Sequence, residues 1–137
     1  MNNETHTENE PLSELGHPWV NPILVTVDGQ RKGDRYRGHL VVKYEVIGEQ
    51  LYFETQKYLL HPKNPSYNKA RIHFEVVVDG NLKWQSSSPK DLMQDDQWHD
   101  YVVAGRMARG SKAQFGAYFE FDGWAPTPKV WGWVWPY

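Results

Sequence analysis

Ile72, Phe74, Val76 and Val78 occupy every second position of residues 72–78, with His73, Glu75 and Val77 between them, and Asp79-Gly80 follows at once. A period of two cannot serve a helix, whose apolar stripe recurs every three to four residues. It fits a strand with one face against a core. Asp-Gly tolerates the positive φ values of a tight hairpin, so the chain is expected to reverse there into a return strand over residues 82–86. Asn81 leaves a three-residue loop as the alternative to a two-residue turn.

The same period recurs along the chain. Ile23, Val25 and Val27 alternate with Leu24 and Thr26 before Asp28-Gly29, and Leu40, Val42, Tyr44 and Val46 alternate with more polar neighbours before Gly48. Residues 51–60 make a further strand, stopped by Pro62 and Pro65, which cannot continue a ladder. Residues 101–106, 114–122 and 130–135 bring the candidates to eight. Only residues 88–97 carry helix signals: Ser88 as a cap, Pro89 at the first helical position and Asp91 completing a short capping box. The reading is an all-β chain, a single antiparallel β-sandwich of jelly-roll or Ig-like kind, with about eight strands and one short helical turn. A closed barrel is the alternative.

A chain of 137 residues has room for one such domain. Residues 1–16 hold Glu4, Glu8, Glu10 and Glu14, no Lys or Arg, and few aliphatic side chains, so they read as an acidic N-terminal arm. The β-sandwich domain is then residues 17–137. With no Cys there is no disulfide framework and no thiolate ligand or nucleophile, and no cofactor is implied. A net charge of -2 argues against nucleic acid as a partner. No stretch approaches the ~20 apolar residues of a membrane-spanning helix, and the start lacks the basic and apolar runs of a secretory signal. The expected location is the cytoplasm, or outside the cell by a route that uses no cleaved N-terminal signal.

Seven Trp, eight Tyr and five Phe are more aromatic surface than a domain this small can hide, since each such side chain buries roughly 150–250 Å². Four of the Trp lie near the C-terminus, and Trp131, Trp133 and Trp135 share one face of a strand, ~6.6–6.8 Å apart by its rise per residue. Val130, Gly132 and Val134 take the other face. A central strand covered on both sides would read the same way. A ladder of exposed indoles would instead stack on sugar rings or meet a partner subunit.

Three other clusters bear on function. Arg35, Tyr36 and Arg37 lie in a basic stretch that could meet an anion, although charged hairpin loops are common without any ligand. Asp91, Asp95, Asp96, His99 and Asp100 crowd one connection, but their spacing is not that of a calcium loop, and no metal site is expected. His73 and Glu75 share a strand face as an imidazole and a carboxylate would in a general base, yet a solvent-facing sheet surface is polar without catalysis. No catalytic residue is expected.

The function expected is therefore a non-catalytic, lectin-like module that binds carbohydrate, or another small polar ligand, through surface aromatics. The ligand-binding residues would be Trp124, Trp131, Trp133, Trp135 and Tyr137, with Arg35, Tyr36 and Arg37. The alternative is a homo-oligomeric assembly subunit that buries its Trp-rich C-terminus and acidic arm against other copies. A secreted toxin or effector that meets membranes through its aromatics is a further alternative, and membrane contact is not favoured.

Overall fold

Alternation becomes burial in the strand that carries it most clearly. In a computed structural model, which describes residues 22–31, 34–61, 69–120 and 129–137, Ala70, Ile72, Phe74, Val76 and Val78 are buried, and Arg71, His73, Glu75 and Val77 are partly exposed between them. Asp79 and Gly80 both take positive φ, and Val78 pairs with Asn81, so the two-residue turn forms. The acidic arm lies outside the described residues.

Ten strands are present among the described residues: β1 Pro22–Arg31, β2 Asp34–Ile47, β3 Gln50–His61, β4 Lys69–Val78, β5 Asn81–Ser87, β6 Leu92–Met93, β7 His99–Asp100, β8 Ala104–Ala108, β9 Ala113–Glu120 and β10 Lys129–Val134. They form two antiparallel sheets. The first runs β1-β2-β3, with β7 and β8 both on the outer edge of β3. The second runs β10-β9-β4-β5, with β6 pairing the start of β4. The sheets pack face to face as a β-sandwich. No closed barrel forms among the described residues. At the seam Gly132 of β10 meets the Thr26 carbonyl of β1, where a Cβ would collide with it.

Phe53 from the first sheet lies 5.7 Å from Phe74, 6.1 Å from Phe115 and 4.8 Å from Trp84, measured between ring centroids, and all three of those rings belong to the second sheet. Leu40, Val42, Leu51, Leu60, Ile72 and Phe119 extend this core to both sides. Gly38 in β2 leaves the space that the Phe119 ring occupies, since a Cβ there would overlap it.

Two expectations are corrected. The helical turn over residues 88–97 does not form: the Ser88 Oγ accepts the Ile72 N–H at 2.9 Å and the Ser88 N–H donates to the Ile72 carbonyl at 2.9 Å. Those bonds carry Ser88 along β4 instead of capping a helix, and Leu92 and Met93 then pair with Ala70 and Lys69. The strand count rises from eight to ten because β6 and β7 are two residues each, too short to show a period.

Burial pushes the Tyr58 phenol up from 10.0 to about 12, with the Met93 backbone pulling the other way. Below about pH 10 the phenol is neutral in both states, whereas between about 10 and 12 the unfolded chain loses that proton and the folded one keeps it, so stability falls as pH rises through this window. Urea titrations at about pH 9 and about pH 11 should show a smaller drop for Tyr58→Phe than for the wild type. Equal drops would assign the alkaline loss to other groups.

Candidate functional site

The two-sided strand β4 has Tyr118, Gly116 and Gln114 of β9 on one side and β5 on the other, and its partly exposed positions form the outer face of the second sheet. β10 adds the last column. In register, Trp131, Tyr118, His73 and Ser87 make one row across the sheet, and Trp133, Gly116, Glu75 and Gln85 make the next. β10 cannot turn its indoles inward, because Gly132 is what the seam with β1 admits and Val134 packs against the core.

Trp131, Trp133 and Trp135 are 45%, 40% and 51% exposed. The Trp131 and Trp133 rings are stacked, parallel within 2° and 5.4 Å apart between centroids. Tyr118 lies 4.7 Å from Trp131, and His73 stands edge-on to both at 6.3 and 5.9 Å. Gly116 lets the benzo ring of Trp133 settle across β9, since a Cβ would collide with it. The result is a continuous aromatic patch spanning three strands.

Polar groups border that patch. His73 sits between the Ser87 hydroxyl, 2.7 Å from its Nδ1, and the Glu75 carboxylate, 3.3 Å from its Nε2. A hydroxyl, an imidazole and a carboxylate in line resemble the parts of a nucleophilic site. β4 is hydrogen-bonded on both sides, however, so its N–H groups are committed to the ladders and not available to a developing oxyanion. What the arrangement does supply is a fixed histidine at the rim of the aromatic patch.

The remaining sequence-stretch candidates separate from this face. Arg35 grips Asp28 with two bonds, 3.0 and 2.6 Å, and Arg37 adds a third at 3.3 Å, all on the β1–β2 hairpin of the first sheet. The Arg35 hydrogen bonds hold the Asp28 carboxyl down at about 2. Tyr36, between them, is 4% exposed and belongs to the core: β2 begins at Asp34, so a residue read as part of a loop alternates inward instead. The structure gives its ring no surface for a ligand. Tyr137 donates its hydroxyl to the Arg109 carbonyl at 2.6 Å and lies under the Arg109 guanidinium at 5.1 Å. Burial raises its phenol, and with the Tyr44 hydroxyl donating to the Pro136 carbonyl at 2.7 Å it anchors the chain end behind the ladder. Trp124 lies outside the described residues.

In the acidic connection, Asp95 holds His99 at 2.8 and 2.9 Å and Asp96 holds His61 at 2.6 Å. Among the described residues no three His, Asp or Glu side chains converge as metal ligands. No described helix is long and apolar enough to cross a membrane. Tyr118, Gly116, Gln114 and His73 were missed as neighbours of the Trp row because the register of β4, β9 and β10 is not written in any one strand. The alternation of β9, with Phe115, Ala117 and Phe119 inward, is the signal that gives their face.

Compared with known proteins, the chain matches no protein-family model, and no curated protein or solved structure is similar enough to stand as a relative.

Gly116→Ala tests the platform more than the core, because the three atoms nearest to an added Cβ all belong to the partly exposed Trp133 ring. Overpacking of this kind should cost no more than about 1 kcal/mol, so the thermal midpoint should move by only a few degrees while the near-ultraviolet circular dichroism of the stacked indoles falls. A large loss of stability would show that Trp133 is a packing residue and not a presented one.

Proposed function

We propose that this protein is a non-catalytic carbohydrate-binding module that holds its ligand on the outer face of the second sheet. The observation that carries the reading is the row of Trp131, Trp133 and Trp135, each 40% exposed or more, with hydrogen-bonding side chains set among and beside the rings. A sugar ring presents apolar C–H faces and a belt of hydroxyls. Indoles accept the faces, and groups such as Glu75, Gln85 and Gln114 suit the hydroxyls.

An assembly interface would use the same indoles differently. The centre of a subunit interface is depleted in charge, because each buried charge must be desolvated and paired. Here Glu75 and His73 stand in the rows of Trp133 and Trp131, and Lys112 lies 5.7 Å over the Trp135 ring. That interleaving favours a hydroxylated ligand over an apolar surface of a second copy.

Removing one ring separates the two. With 40% of Trp133 exposed, this indole offers a ligand roughly 60–100 Å² of its 150–250 Å², worth about 1.5–2.5 kcal/mol at ~25 cal/mol per Å². Trp133→Ala should therefore weaken binding on a glycan array about tenfold or more while the mass in solution and the thermal midpoint stay nearly constant. A fall in mass, with stability becoming dependent on protein concentration, would assign the face to assembly instead.

A further inference from the structure

At the end of the Trp row nearest the β4–β5 turn, the sheet face deepens into a pocket of about 370 Å³ lined by Val77, Asp79, Gly80, Lys112, Gln114 and Trp135. That size is near the lower end of the ~300–1,000 Å³ spanned by ligand pockets, suited to one sugar ring and not to a longer segment. One wall is aromatic: the half-exposed Trp135 lines it, with the Lys112 ammonium 5.7 Å from the centre of its ring.

One polar group beside that wall, the Asp79 carboxylate, is fixed before any ligand arrives. Asp79 Oδ1 accepts the N–H groups of Ser111 and Lys112, each at 3.0 Å, and the Asp79 N–H donates to the Lys112 carbonyl at 2.9 Å. These bonds clamp the β4–β5 turn to the β8–β9 connection. A rigid site loses little freedom on binding, which favours affinity for a small ligand. Lys112 and Gln114, whose side chains carry donors, line the same pocket as Asp79, whose carboxylate accepts. The formal charges of Lys112 and Asp79 cancel, so a carboxylate, sulfate or phosphate gains no net attraction here, while a hydroxyl can both donate to Asp79 and accept from its neighbours. A second cleft, lined by Gln50, Lys83, Arg106, Met107 and Ala108 between the edges of the two sheets, carries two cations and lacks both the carboxylate and the aromatic wall.

Building on the carbohydrate reading of this face, we infer that the pocket beside Trp135 is its principal subsite, and that it takes a single neutral pyranose ring. The ring lies against Trp135 and its hydroxyls engage Gln114, Lys112 and Asp79. Trp131 and Trp133 then carry the sugars that follow along the chain.

The test is a fluorescence titration of the full chain with linear neutral tetrasaccharides of glucose, mannose and galactose and with a galacturonic acid tetrasaccharide. Asp79 is left intact because it holds the turn. Binding of at least one neutral tetrasaccharide, weakened about tenfold or more in both Gln114→Ala and Trp135→Ala with thermal midpoints unchanged, is the expected result. Binding that survives those two changes but is lost in Trp131→Ala overturns the pocket and leaves the wider face standing. Preference for the galacturonic acid tetrasaccharide overturns the neutral class. Absence of binding to all four by the wild type overturns the subsite and the carbohydrate reading together.

Discussion

The meeting of Phe53 with Phe74, Phe115 and Trp84 between the sheets sets the terms for every other aromatic side chain. A sandwich interior is about 10 Å thick and packed to the density of an organic crystal, so rings that fill it exclude others. The glycines of the interior are already spent on this fit, Gly38 to admit Phe119 and Gly132 to let β10 approach β1. Trp131, Trp133 and Trp135 consequently have one face available, the outer one. Their exposure follows from a full core and a tight seam.

That constraint also explains why the patch is ordered. Exposed aromatics on a loop would lose freedom on binding, but these stand on an edge strand laddered to β9, with the chain end pinned by Tyr44 to the Pro136 carbonyl and by Tyr137 to Arg109. Trp133 rests across the backbone at Gly116, and Trp131 is held between Trp133 and Tyr118. A surface built this way is presented before it is used, which lowers the entropic cost of filling it. The apolar area left in water is a cost that covering the patch would relieve.

Much of this was legible in the sequence where one strand suffices to make the argument. The alternation of β4 and the Asp79-Gly80 turn follow from residue order alone, and so does the shared face of the three Trp. Three features needed neighbours. β3 hides its period because Val41 pairs with Lys57 and Val42 with Thr55, leaving Gln56 as a bulge that switches which positions point inward. Ser88 resembles a helix cap locally and is captured by Ile72 sixteen residues away. Tyr36 looks like part of a charged loop until the hairpin is seen to extend to Arg31 and Asp34, which makes it an inward strand position. The site divides in the same way: the Trp row was readable, whereas its union with Tyr118, His73 and Gln114 depends on register.

The indole N–H resonances offer the most direct measurement, because each Trp reports its own surroundings in a single nitrogen–proton correlation spectrum. With a bound neutral oligosaccharide added stepwise, the account predicts that the signals of Trp131, Trp133 and Trp135 shift together. Trp84, packed against Phe53 and Phe74, and Trp98, on the first sheet beside His39 and Lys57, should stay in place. A shift confined to Trp98, or movement of the three C-terminal signals with protein concentration and not with sugar, would contradict the claim that the outer face of the second sheet is a glycan platform.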